Sequence, residues 1–127
     1  MVIIGLLCFI VAAICESVMD VLQFHYMRSL FKDFKNNIFW DPEISWRNKY
    51  KKGDPKEGPK FIGSDTLFVG FTDGWHLFKM FRTFCIFLGI FFLLLQFTSF
   101  WVSLLIVVGV RIFFGIAFTI FYDLFQK

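Results

Sequence analysis

The chain has 127 residues, of which 57% are hydrophobic and 22% aromatic, and it carries a formal net charge of +3. A soluble domain of this length could not bury that much apolar surface, so the composition excludes an ordinary water-soluble protein. It indicates a single membrane domain over residues 1–127, with lipid as the solvent of the apolar side chains.

The N-terminal segment predicts a first membrane span over about residues 2–24. The uncharged run from Val2 to Cys15 also has the length of a signal-peptide core. No Lys or Arg precedes it, however, and apolar residues continue as far as Phe24. We therefore expect this segment to be a retained helix.

The C-terminal third predicts two more spans. Residues 83–122 contain one charged side chain, Arg111. This segment is twice as long as the roughly 20 residues that one helical span needs. The polar stretch "QFTSFW", residues 96–101, is the expected break. The predicted spans are residues 76–95 and 100–122, so the fold class is an all-α membrane protein with three transmembrane helices.

The basic residues predict the orientation. Eleven of the thirteen Lys and Arg side chains lie between Arg28 and Arg82, in the long loop of about residues 28–75 and at its flanks. Loops rich in Lys and Arg stay cytoplasmic. The N-terminus is then outside and the C-terminus inside, as expected of a multi-pass protein of the cell membrane, the inner membrane in a bacterium.

The loop is expected to be ordered. In "RSLFKDFKNNIFW", residues 28–40, apolar side chains recur at helical spacing, which predicts an amphipathic helix in the headgroup region. Asp41 and Pro42 are typical of a helix N-cap and first position. "FIGSDTLFVGF", residues 61–71, fits a short strand or a helical turn equally well. The loop and its flanks, residues 28–82, have a net charge of +4, which favours anionic lipid headgroups, whereas their mixed signs argue against nucleic acid.

Two charged residues inside the spans predict an ion pair. Glu16 shares one helix face with Asp20, four residues later. Arg111 lies near the middle of the third span, where an Arg costs about 2.5–3.5 kcal/mol on insertion scales. Glu16 lies close to the same depth, so we expect Glu16 and Arg111 to pair, within one chain or between two. The pair would fix helix packing or form a charged step in an ion or proton pathway.

A second polar group is expected where the loop meets the membrane. Asp20 and His25 lie at the loop end of the first span, while Asp73 and His76 begin the second. Asp73 is also a candidate N-cap. The four side chains have the ligand types for zinc or another divalent metal, and the groups for general acid and base chemistry on a headgroup. No HExxH or CxxC spacing supports a metal.

Four tryptophans are candidate interfacial anchors, because Trp is enriched at membrane–water interfaces: Trp40, Trp46, Trp75 and Trp101.

Three classes of function remain open from the sequence. The first is an anchoring, interaction or assembly protein that presents the basic loop to anionic lipid, to a partner membrane protein or to further copies of itself. The second is a homo-oligomeric ion or proton channel or translocator, of the size and three-span topology of a holin, which uses Glu16 and Arg111. The third is a metal-dependent enzyme at the membrane interface, with Asp20, His25, Asp73 and His76 as its site.

Overall fold

The computed structural model describes residues 1–125, with the side chain of residue 123 excepted. Its helices are α1 (Val2–Phe24), α2 (Asn37–Trp40), α3 (Pro42–Ser45), α4 (Gly74–Leu94) and α5 (Phe100–Phe125). Of these, α1, α4 and α5 are long and apolar enough to cross a membrane. Within the described residues no β-strand forms, apart from one isolated bridge between Tyr50 and Pro59. The prediction of an all-α membrane protein with three spans is confirmed.

The break between α4 and α5 lies at the predicted polar stretch. Thr98 donates a backbone hydrogen bond to the carbonyl of Leu94 at the end of α4. Its hydroxyl also lies 2.6 Å from the hydroxyl of Ser103, in the first turn of α5. These short-range bonds satisfy polar groups that the ends of two neighbouring helices would otherwise leave unpaired.

The chain divides into two compact units, the first of which contains residues 1–9 and 85–127. In this unit α1 and α4 approach closely at two glycines. A Cβ atom on Gly89 would lie 3.1 Å from the carbonyl oxygen of Gly5, and a Cβ on Gly5 would lie 3.1 Å from the carbonyl oxygen of Gly89. Small residues allow such an approach in membranes. On α5, by contrast, no described residue between 104 and 125 is buried.

The second unit contains residues 10–84. In this unit, the buried residues of α1 recur at spacings of three and four residues and so form one stripe along the helix. They are Ala12, Cys15, Met19 and Leu22. At the loop end, Gly74 of α4 faces Leu22 and Trp40, and a Cβ there would lie 2.7 Å from Trp40 Cε3. The start of α4 is therefore held between α1 and the loop.

The loop consists of α2, α3 and short 3₁₀ turns, the first of which are Tyr26–Arg28 and Leu30–Asp33. The prediction of one amphipathic helix over residues 28–40 is therefore wrong. The backbone becomes extended at Phe34, with φ −76° and ψ 136°. This break allows the rings of Phe31 and Phe34 to pack on Trp40, with centroid distances of 5.2 Å each. Aromatic packing thus replaces a continuous helix.

Long-range hydrogen bonds hold the second half of the loop. The Ser64 hydroxyl donates to the carbonyl of Lys49 at 2.7 Å, and the Lys60 N–H donates to the same carbonyl at 2.9 Å. Residues 61–71, for which strand and turn were both open, form turns that end in a 3₁₀ turn at Val69–Phe71. The predicted cap at Asp41 is confirmed, because its Oδ1 accepts from the Glu43 N–H at 2.9 Å and Pro42 begins α3.

Candidate functional site

Asp73 and His76 form a closely bonded pair at the start of α4. Asp73 is only 2% exposed. Its Oδ1 accepts the backbone N–H of His76 at 2.9 Å, which confirms the predicted cap. Its Oδ2 lies 2.7 Å from His76 Nδ1. Because a carboxylate can only accept, Nδ1 carries the proton of this bond, and in the neutral tautomer Nε2 presents a lone pair on the other side of the ring.

The loop positions Asp73 through the residue before it. Asn48 Nδ2 donates to the carbonyl of Thr72 at 2.5 Å, and Lys60 Nζ donates to Asn48 Oδ1 at 2.7 Å. The Thr72 hydroxyl donates to the carbonyl of Val69 at 2.8 Å and lies 3.3 Å from Asp73 Oδ2. This network holds the carboxylate in the orientation that the His76 ring requires.

A cleft of about 290 Å³ opens beside this pair. Its walls come from the end of α1, from α3 and the turn after it, and from the start of α4: Gln23, Pro42, Ser45, Trp46, Asp73, Trp75 and His76. Ser45 is 6% exposed, and its hydroxyl makes no hydrogen bond to any residue that the structure describes. The Gln23 amide is likewise unpaired within the described chain, and the His76 side chain is 28% exposed. Three polar groups with unused hydrogen-bonding capacity therefore meet at one cleft.

Asp20 and His25 do not complete this group. Asp20 is exposed on α1, and His25, which follows the last residue of α1, lines a separate cavity with Asp41 and Glu43. Among residues 1–125, no three His, Cys, Asp or Glu side chains come together as possible metal ligands. Of the four predicted residues, the described structure therefore brings together Asp73 and His76, and a metal or catalytic role for the four stays a prediction. Asp20 and His25 lie apart because α1 keeps its helical geometry to Phe24, which keeps them on different sides.

Within the spans, Glu16 has a partner that the sequence reasoning missed. Arg82 Nη1 of α4 donates a hydrogen bond to Glu16 Oε2 of α1, and Arg82 Nε is buried without a partner among the described residues. The sequence groups Arg82 with the basic flank of the loop, whereas in the structure it is the ninth residue of α4. Glu16 and Arg111 lie in different units, and their predicted pairing stays a prediction.

Arg111 is exposed near the middle of α5. Its guanidinium lies along its own helix, since a Cβ on Gly115 would come within 3.1 Å of Arg111 Nη1. It makes no ion pair or hydrogen bond with another side chain in the described part of the protein.

The four tryptophans have different environments. Trp40 is half-buried in the aromatic cluster of the loop, within 5.0–6.5 Å of four phenylalanine rings. Trp46 and Trp75 line the cleft. Trp101 is 70% exposed at the start of α5. Their predicted role as interfacial anchors remains a prediction.

Comparisons of the chain with protein-family models, with curated proteins and with solved structures found no match.

Proposed function

We propose that this multi-pass membrane protein is an assembly protein, which associates with further copies of itself through α5 and presents its basic loop at the membrane surface. The observation that supports the proposal is Arg111. A charged side chain lies midway along an apolar helix, and no residue of that helix between 104 and 125 is buried within the described chain.

An unpaired Arg at this depth is costly. Arg111 is the twelfth of 23 residues in the span Phe100–Tyr122. Insertion scales give about 2.5–3.5 kcal/mol for an Arg at a helix centre. A carboxylate on a neighbouring helix would offset much of this cost. Association of α5 with such a helix is therefore favoured.

The face of α5 that carries Arg111 has room for another helix. Arg111, Gly115 and Thr119 recur at every fourth residue, so they share one face. They share an open surface of α5 with three isoleucines: Ile112, Ile116 and Ile120.

A second copy of the chain offers a carboxylate at a suitable depth. The Glu16 side chain is 47% exposed, and Arg82 bonds only its Oε2. Glu16 is the fifteenth residue of the 23 in α1. Because the first and third spans cross the membrane in the same direction, Glu16 and Arg111 differ in depth by about 4.5 Å, a distance that an Arg side chain can cover. Asp20 lies one turn further along the same face.

The loop adds attraction to the membrane surface. Residues 28–82 carry eleven basic and seven acidic side chains, and each basic residue near an anionic surface contributes about 1 kcal/mol. With the N-terminus outside and the C-terminus inside, this charge faces the cytoplasmic leaflet, where anionic lipids attract it.

Energy transfer between donor-labelled and acceptor-labelled chains in liposomes would test self-association. We expect Arg111→Leu to weaken association at least about tenfold, which corresponds to about 1.4 kcal/mol. Arg111→Lys should retain most of it, because the charge remains. Phe113→Leu is the matched control, since Phe113 is exposed on the opposite face of α5.

A mixing experiment identifies the partner. Chains with Arg111→Leu still offer Glu16, and chains with Glu16→Gln still offer Arg111. Each variant alone should associate weakly, while an equal mixture should regain part of the energy transfer. A wild-type chain that stays monomeric at high protein-to-lipid ratio, or a mixture that regains nothing, would contradict self-association through this pair.

A further inference from the structure

We propose that the cleft beside Asp73 and His76 binds the headgroup of an anionic phospholipid that carries hydroxyl groups, such as a glycerol headgroup. The proposal rests on α1 and α4 being membrane spans. It does not depend on self-association through α5, so either idea can fail without the other.

The cleft lies at the level of the headgroups. Gln23 is the second-last residue of α1, and Trp75 is the second residue of α4. Both helices are long and apolar enough to span a membrane, and both end at the loop. A volume of about 290 Å³ is at the lower end of the roughly 300–1,000 Å³ of small-molecule sites. A headgroup can therefore enter while its acyl chains remain in the bilayer.

The polar groups of the cleft favour a ligand that donates hydrogen bonds. Asp73 Oδ2 lies 2.7 Å from His76 Nδ1 and accepts its proton, so in the neutral tautomer the ring offers an acceptor at Nε2. Ser45 is a buried residue, 6% exposed, whereas Gln23 is exposed, and the side chains of both can donate and accept. These side chains have hydrogen-bonding capacity that no described residue uses, and a ligand hydroxyl would occupy it.

Two cations lie over the tryptophan rings that line the cleft, and they favour a ligand with a phosphate. Lys79 Nζ lies 4.9 Å from the centre of the Trp75 ring, and Arg47 Cζ lies 5.1 Å from that of Trp46. Neither forms an ion pair with a carboxylate of the described residues. A phosphodiester at the mouth of the cleft would be attracted by both charges.

Together these features discriminate between phospholipids. A choline headgroup has no hydrogen-bond donor for His76 Nε2. An ethanolamine headgroup has donors, but its ammonium group would meet the unpaired charges of Lys79 and Arg47. A phosphoglycerol headgroup combines a negative charge with two hydroxyl groups, so it satisfies both parts of the cleft.

Native mass spectrometry of the delipidated full-length protein would test the preference, with phosphatidylglycerol, phosphatidylethanolamine and phosphatidylcholine of identical acyl chains added in turn. We expect one phosphatidylglycerol per chain, retained about tenfold more tightly than the other two. Ser45→Ala and His76→Gln should each reduce this preference about threefold to tenfold. His25→Gln is the matched control, because His25 is also exposed at the loop end of α1 but does not line this cleft.

Two further measurements complete the test. The ¹⁵N resonance of His76 Nε2 should shift when phosphatidylglycerol is added, while that of His25 should not. Glycerol phosphate in solution should bind far more weakly than the lipid. Equal retention of the three lipids, an equal loss in the His25 variant, or equally tight binding of free glycerol phosphate would each overturn the proposal.

Discussion

Glu16 and Arg82 lie at the same distance from the loop ends of their helices. Glu16 is eight residues before Phe24, the last residue of α1, and Arg82 is eight residues after Gly74, the first residue of α4. At 1.5 Å per residue, each lies about 12 Å from its helix end. Because the two helices run in opposite directions, the two charges meet, and Arg82 donates a hydrogen bond to Glu16.

The first prediction concerns the energy of this pair. In a double-mutant cycle of Glu16→Gln and Arg82→Gln, we expect a coupling energy of about 1–2 kcal/mol. Interhelical hydrogen bonds in membranes average about 0.6 kcal/mol with a maximum near 1.7. Charge raises the value, whereas side-chain exposures of 47% for Glu16 and 29% for Arg82 keep it below that of a fully buried pair.

Reversible unfolding in bicelles would measure the cycle. Ser17→Ala is the control, because the Ser17 hydroxyl bonds only to the carbonyl of Ala13 in its own helix. Strictly additive effects of the two substitutions would show that the ion pair contributes nothing to stability.

The second prediction concerns the glycine contact between α1 and α4. A Cβ on Gly89 would lie 3.0 Å from Phe9 Cζ and 3.1 Å from the carbonyl oxygen of Gly5, a backbone atom that cannot move aside easily. Gly89→Ala should therefore lower the free energy of unfolding by about 1–3 kcal/mol, as overpacking does. Thermal unfolding in detergent would measure the change.

Gly109 provides the control for that substitution. It lies within α5, and a Cβ there would have nothing within 4 Å. Gly109→Ala should leave stability unchanged or raise it by about 0.5–1 kcal/mol, because Ala loses less backbone entropy in a helix. Equal destabilisation by the two substitutions would mean that the close approach of α1 and α4 at Gly89 does not cause the loss of stability.

The third prediction concerns the tautomer of His76. The bond to Asp73 requires the proton on Nδ1, so ¹⁵N spectra of the neutral ring should show Nδ1 protonated and Nε2 bare. His25 is the internal reference, since its ring has no hydrogen bond to any described residue. Asp73→Ala should abolish the preference for the Nδ1-protonated tautomer of His76. It should also lower the free energy of unfolding by about 1 kcal/mol through loss of the helix cap. An Nε2-protonated ring in the native protein would contradict the arrangement.

The fourth prediction concerns alkaline pH. Tyr26 is 8% exposed, and burial raises the pKa of its phenol above the usual 10.0, with the carboxylates of Asp41 and Asp33 raising it further. The folded state then holds the phenolic proton more tightly than the unfolded state does. The free energy of unfolding is therefore unaffected by Tyr26 below pH 10 and falls as the pH rises from about 10 through the raised pKa.

The ultraviolet absorbance of tyrosinate during alkaline titration would follow this group. Tyr26→Phe should remove the late-titrating component, and Tyr50→Phe should leave it in place. Asp41→Asn keeps a capping oxygen for α3 but removes the charge, so it should lower the pKa of Tyr26 only partly, because burial is the larger cause. A Tyr26 that titrates like a free phenol would contradict its burial.

Some features of the site follow from short-range sequence patterns. Asp41 before Pro42 and Asp73 before the second span predict helix caps, because a cap needs only residues two or three positions apart. The Asp73 cap also places His76 one turn along the same helix, within reach of the carboxylate. The pair was therefore predictable from the spacing, whereas Asp20 and His25 lie apart from it in the described structure.

Other features depend on which helices pack together. Arg82 resembles the other basic residues that flank the loop, and only the contact of α1 with α4 shows that it meets Glu16 rather than water. The equal offset of eight residues from the two helix ends would have indicated the pair. The cleft likewise unites Gln23, Ser45 and His76, which are too far apart in the chain for any local pattern to relate them.

The amino-acid sequence by itself determined the three apolar helices and the polar break between the last two. The physical reason is that lipid solvates only long, continuous apolar segments whose backbone hydrogen bonds are satisfied internally. The tertiary structure alone decided the partner of Glu16, the glycine contact between α1 and α4, and the aromatic packing that replaced the amphipathic helix. These depend on the shapes and depths of side chains brought together from distant parts of the chain, which local propensity and hydropathy do not encode.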